Sequence, residues 1–271
     1  MNWGRVKTVL IILFLCTDIF LLAIYLTSEY SSSTIPSDVI ASTVQVLKNN
    51  GIQVDPSVIP QKIQSAPHFE AVNVINSREE FAKKLLGNQI TPTEFGFAGA
   101  FGTVNFYGDR FNYTMNPGAD GLLDINPITN EKSAKSAAVS VLENLGLDLS
   151  DAKITVTKDM DGFTITADNT AHNLPIFNSS VSVKATKTIT SVSGIWFNSY
   201  DSSGLNNLKN ITSVLIDFIP NATQDIKITK LELGYHIFDF SQYHKSATLI
   251  PVWKVTFEDS SVTYLDARNF N

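Results

Sequence analysis

One cysteine stands in 271 residues, Cys16, and it lies inside an apolar run. The rest of the chain therefore holds no disulfide and no thiol nucleophile. Secreted eukaryotic domains of this size often carry disulfides, so the lack of them points to a bacterial surface. Basic charge is also short. The 20 Lys and Arg stand against 26 Asp and Glu, for a net charge of −6, and they form no basic patch. That excludes a nucleic-acid partner held through its phosphates. The four histidines, His68, His172, His236 and His244, make no HxH or HxxxH pair. Zinc needs three or four ligands, so no metal site is assigned.

Catalytic signatures are missing as well. There is no Gly-x-Ser-x-Gly elbow, and no Ser-x-x-Lys stands beside a recognisable second motif. Carboxylate pairs for glycoside hydrolysis are set in space, and no pair stands out in the order of residues. Gly96-Phe-Ala-Gly99-Ala-Phe-Gly102 lacks the following helix N-terminus that would hold a phosphate, so it reads as a strand kink or tight hairpin. Asp159-Met-Asp161-Gly162 resembles the opening of a calcium loop, but the later ligands are absent and a hairpin turn accounts for it. Trp196 and Trp253 read as core packing, with carbohydrate stacking as the alternative. No cofactor is assigned, and the chain reads as a non-enzyme.

One long hydrophobic run is present, from Val9 to Leu26. Eighteen residues at about 1.5 Å each span roughly 27 Å, close to a hydrocarbon core. Thirteen of them are Val, Leu, Ile or Phe, together about −6 kcal/mol for insertion. Asp18 in the middle gives back about 3 kcal/mol. Arg5 and Lys7 precede the run, which predicts a cytoplasmic N-terminus and an extracytoplasmic remainder. A cleaved signal peptide would have a shorter apolar region and a small-x-small site, and no convincing site follows. Lys7, Ile11, Phe14, Asp18, Leu21 and Tyr25 recur at helical spacing. The predicted contact stripe for a partner helix is Ile11, Phe14, Asp18, Leu21 and Tyr25.

The remaining chain predicts an α+β fold. Helices are expected from Ser37, from Ser77 with Glu80 as a capping box, over Asn130–Leu145, and over Asn210–Ile219. Strands are expected over Phe69–Ile75, Phe95–Phe101, Thr103–Tyr113, Val181–Ala185, Ser191–Asn198, Lys227–Phe238, Leu249–Phe257 and Val262–Leu265. Lys153–Lys158 and Phe163–Thr166 flank Asp161-Gly162 as the strongest hairpin signal. The expected layout is a cytoplasmic N-terminus at 1–8, a transmembrane helix at 9–28, a linker at 29–36, a membrane-proximal αβ domain at 37–128 and a C-terminal αβ region at 129–271. In the last region Leu174-Pro-Ile-Phe177 and Ile250-Pro-Val-Trp253 echo each other, which suggests a duplicated helix-on-sheet unit.

Asn2-Trp3, Asp18 followed by Phe20-Leu21-Leu22, Leu47-Lys-Asn-Asn-Gly51-Ile52, Ile250-Pro-Val-Trp253-Lys-Val255 and Tyr264-Leu-Asp-Ala267 occur in that order. In this layout the chain resembles the YycI family, extracytoplasmic regulators of the YycFG (WalKR) two-component system. The resemblance implies two PepSY-like units, each a helix packed on an antiparallel sheet. It also implies partnership with a YycH-like protein and with the sensor histidine kinase YycG/WalK, through transmembrane and ectodomain contacts. The function expected from it is non-enzymatic control of a kinase that governs cell-wall homeostasis, by a single-pass membrane protein. The alternatives are a surface-anchored binding module for a peptide or wall polymer, and an envelope hydrolase.

Overall fold

The computed structural model describes residues 3, 7, 11–22, 34–62, 65–117, 119, 127–222, 225–238 and 246–269. The chain divides into two units. The smaller comprises Met1–Ser65, Lys209–Leu231 and Thr256–Ser261; the larger comprises Ala66–Leu208, Glu232–Val255 and Val262–Asn271.

In the smaller unit, residues 11–22 form helix α1. Helix α2 (Ser37–Asn49) turns one apolar face inward through Ile40 and Leu47 and leads into the short strand β1 (Ile52–Val54). Gly51 between them has φ +78°, a left-handed conformation that favours glycine. β1 pairs in parallel with the start of strand β12 (Ile226–His236), Ile52 opposite Ile226 and Val54 opposite Ile228. Helix α5 (Ile211–Phe218), capped by Asn210, packs on α2.

The larger unit begins with β2 (Ser65–Asn73) and helix α3 (Arg78–Leu86), whose Ser77 cap accepts the Glu80 N–H. Four strands follow: β3 (Ile90–Pro92), β4 (Gly96–Gly99), β5 (Gly102–Tyr107) and β6 (Arg110–Met115). Helix α4 (Glu131–Leu145) then precedes β7 (Lys153–Lys158), β8 (Phe163–Ala171), β9 (Leu174–Ala185) and β10 (Ile189–Ile195). These eight strands form one antiparallel series, β3-β4-β5-β6-β10-β9-β8-β7. The series is two consecutive helix-plus-four-strand stretches joined where β6 meets β10. Both helices lie against it, α3 on β3, β4 and β5, α4 on β7 and β8.

The reason is visible in the sequence. Ala134, Ala137, Ala138, Val141, Leu142 and Leu145 recur at helical spacing, and all six are buried. Asn130 and Ser133 close a capping box, and Gly146 ends the helix at φ +93°. Opposite them the strands alternate: Val104, Phe106, Phe111, Tyr113, Val192, Val183 and Ile165 are inside. Each fully buried aliphatic side chain contributes about 1.5–3 kcal/mol. The ordering of each backbone residue costs about 1–2 kcal/mol, which offsets much of that gain.

Beyond β9 the strand order continues β12, β13 (Ser246–Phe257), β2 and β11 (Phe197–Asn207), with β14 (Val262–Asp266) on β13. Thr103–Tyr113, expected as one strand, is a hairpin that turns at Gly108, φ +62°. His172 and Asn173, both with positive φ, turn β8 into β9, which makes that hairpin longer than its sequence pattern suggested.

The expected transmembrane helix is corrected. Among the described residues no helix is long and apolar enough to cross a membrane. The fold class is α+β, with helices on antiparallel strands, and the predicted span is not found among the described residues.

Candidate functional site

The sequence pointed first to the stripe on α1. Ile11, Phe14, Asp18 and Leu21 lie on that helix and are all exposed. Tyr25 and Arg5 lie outside the described residues. Lys7 is described, and its Nζ sits 5.9 Å from the centre of the Trp3 ring.

The structure instead gathers aromatic side chains in the larger unit, where β9, β12, β13 and β14 are neighbours. The start of β9 pairs in parallel with the end of β12, Ile176 opposite Tyr235. That pairing brings Phe177 beside Gly234 and His236. A Cβ at Gly234 would stand 2.5 Å from the Pro175 carbonyl oxygen and 2.6 Å from the Phe177 ring. The bare backbone is thus the seat on which the Phe177 ring lies. The Phe177 ring centre is 5.5 Å from that of Tyr264 on β14. Tyr264 is 4.5 Å from His236, and His236 is 4.4 Å from Phe238. Lys254 on β13 holds its Nζ 5.2 Å from the Phe177 ring centre, a cation–π contact.

These rings are only partly covered. Phe177, His236 and Tyr264 are half-buried, and Phe238 is 51% exposed. The His236 Nδ1 is enclosed and has no hydrogen-bond partner among the described residues. Burial holds the His236 imidazole below its usual pKa, so it is neutral at pH 7. Burial likewise pushes the Tyr264 hydroxyl up. The face therefore offers several π surfaces, a neutral imidazole and one cation.

The other candidates settle into structural roles. Trp196 is fully buried and donates to Asn198 Oδ1 at 3.1 Å, and Trp253 is 3% exposed. Gly96, Gly99 and Gly102 are sites of close approach, where an added Cβ would stand 1.9, 2.9 and 2.3 Å from Val104 O, Leu86 Cβ and Thr114 O. Asp159 accepts the Thr164 hydroxyl within its hairpin. The His68 side chain and His244 lie outside the described residues. Asp55, Asp148 and Asp259 each accept from a serine two residues on, and those bonds hold their carboxyls below the ordinary range. These are turn features, with no base aligned by a neighbouring acid. Among the described residues no group of three His, Cys, Asp or Glu could hold a metal.

Comparison with known proteins gives the chain no family. No family model matches the chain, and no curated protein matches it. Among solved structures, an uncharacterized protein from Eubacterium rectale ATCC 33656 aligns with a TM-score of 0.45 at 10% identity, over 81% of this chain and 89% of that one. The Bacillus megaterium YpeB C-terminal domain aligns with a TM-score of 0.31 at 9% identity, over 71% and 92%. Likenesses at these scores carry no functional argument. The expected membership of the YycI family is corrected, because no matching family supports it and its defining membrane span is not found among the described helices. The expected single-pass location, and kinase control through transmembrane contacts, are corrected on the same ground. The YycH-like and kinase partners stood on that resemblance alone.

Proposed function

We propose that this protein is a non-enzymatic binding protein whose larger unit recognises an anionic glycan on the aromatic face. The observation that carries this reading is Lys254 placed over Phe177, next to the contiguous rings of Tyr264, His236 and Phe238. Partly exposed rings meet the apolar C–H faces of sugars, while the ammonium meets a carboxylate or phosphate on the same polymer. Binding sites in general combine apolar and aromatic walls with a few placed polar groups.

The edges of the antiparallel series favour face binding over strand addition. β3 is three residues long and ends in Pro92, and β7 carries Lys153 and Lys158 at its two ends. Short edges, proline and lysine all oppose pairing with an added strand.

Titration of the full chain with polygalacturonate, followed by tyrosine and tryptophan fluorescence, tests the reading. Saturable binding is expected, with none to neutral dextran, and Lys254→Gln weakens it about tenfold. Equal binding of dextran, no saturation, or indifference to Lys254→Gln contradicts it.

A further inference from the structure

His236 closes strand β12 and brings an imidazole into the aromatic face. Its ring centre stands 4.5 Å from that of Tyr264 and 4.4 Å from that of Phe238, inclined by 44° and 42°. Two neighbouring rings hold the imidazole, and its two nitrogens meet different surroundings. Nδ1 is enclosed and has no hydrogen-bond partner among the described residues. Nε2 makes no hydrogen bond there either, yet it is not among the enclosed unpaired atoms, so it opens to solvent.

That difference places the proton. A neutral imidazole carries one N–H donor and one bare acceptor nitrogen. An enclosed N–H without an acceptor is rarer in proteins than an enclosed acceptor without a donor. A proton on Nε2 can reach water, and the dry Nδ1 keeps only its lone pair. The same enclosure opposes the imidazolium, which would put an N–H at Nδ1 with nothing to accept it. The burial that holds His236 below its usual pKa acts in the same direction. In this tautomer the open nitrogen donates and does not accept.

The donor also has a place along the face. Lys254 Nζ stands 5.2 Å from the Phe177 ring centre, Phe177 is 5.5 Å from Tyr264, and Tyr264 touches His236. The contacts therefore run from an ammonium, across two aromatic rings, to an uncharged N–H. Hydrogen bonds between charged groups are the stronger ones, so a carboxylate or phosphate belongs with Lys254. An uncharged oxygen of the sugar is left for His236.

We infer that His236 is a specificity-determining residue of this face, donating its Nε2–H to an uncharged sugar oxygen, a hydroxyl or ring oxygen, while Lys254 takes the anion. The inference rests on the aromatic face being the glycan site.

The test is ring-15N labelling of histidine in the full chain, with polygalacturonate and polyacrylate as probes. At pH 7 the free protein should show Nε2 of His236 protonated and Nδ1 bare, the signals being assigned by their loss in His236→Phe. Polygalacturonate should move the Nε2 signal saturably. Polyacrylate, an anionic polymer without sugar oxygens, should leave it in place. His236→Phe keeps a flat ring between Tyr264 and Phe238, and it should weaken polygalacturonate binding about fivefold. A proton on Nδ1, an Nε2 signal unmoved by bound polygalacturonate, an equal shift with polyacrylate, or full affinity in His236→Phe overturns this inference and leaves the glycan reading standing. Absence of saturable polygalacturonate binding by the unsubstituted chain overturns that reading, and the inference with it.

Discussion

Two surfaces of the larger unit differ sharply although both are built from antiparallel strands. Across the eight-stranded series, Asn105, Asn112, Ser193, Ser182, Thr166 and Thr155 stand opposite one another in register. This row of small polar side chains alternates with the buried positions under α3 and α4, as expected of a sheet with one solvated face. Where β9 meets β12, β13 and β14, the partly exposed positions are instead Phe177, His236, Tyr264 and Lys254. Solubility alone explains the first surface. The second keeps rings half in water, a cost that a monomer does not need to carry and that a ligand would remove.

Perturbing each surface sharpens that contrast. The largest effect is expected in the helix-covered core: Trp196→Ala should lose about 3–5 kcal/mol in chemical denaturation, through the cavity it leaves. Gly234→Ala should lose about 1–3 kcal/mol, because its Cβ displaces the Phe177 ring. It should also abolish glycan binding, which the core variant does not do while folded. Tyr113→Phe should lose about 1 kcal/mol with its hydrogen bond to the Phe101 carbonyl. The smallest effect belongs to the polar row, where Ser182→Ala should stay within about 0.5 kcal/mol.

The pH dependence gives the buried core and the aromatic face slopes of their own. Burial pushes the Tyr113 hydroxyl up to about 12 from an ordinary 10. The folded state therefore holds that proton more tightly than the unfolded one. Its contribution is full below pH 10 and is lost as the pH rises through about 12. His236 works in the opposite sense. Its folded pKa lies below 6.5, so the unfolded chain takes up protons first as the pH falls. Stability present above pH 6.5 declines as the pH drops from there towards the lowered value. Denaturation midpoints across pH 4–12 should show both slopes, and His236→Phe should remove the acidic one.

Local patterns carried much of the fold. The buried face of α4 and its caps were legible because Ala, Val and Leu repeat at helical spacing and Asn130 and Gly146 bracket them. The β7–β8 hairpin was legible from strict alternation on either side of Asp161-Gly162. The Gly108 turn was hidden, because aromatic residues on both sides read as one continuous strand. The aromatic face was not legible at all. Phe177, His236, Lys254 and Tyr264 are far apart in the chain, and they meet only through the parallel pairing of Ile176 with Tyr235 and the further strands β13 and β14 beside β12. The apolar run around Asp18 misled for the opposite reason. Its hydropathy is local and strong, while among the described residues no helix is long and apolar enough to cross a membrane.

The most direct measurement is hydrogen exchange of the full chain with and without polygalacturonate. The account predicts protection confined to Leu174–Phe177, Glu232–His236 and Val262–Asp266, with the polar row across β5, β6 and β10 unchanged. Protection on that row, or none on the three aromatic-bearing segments, would contradict it.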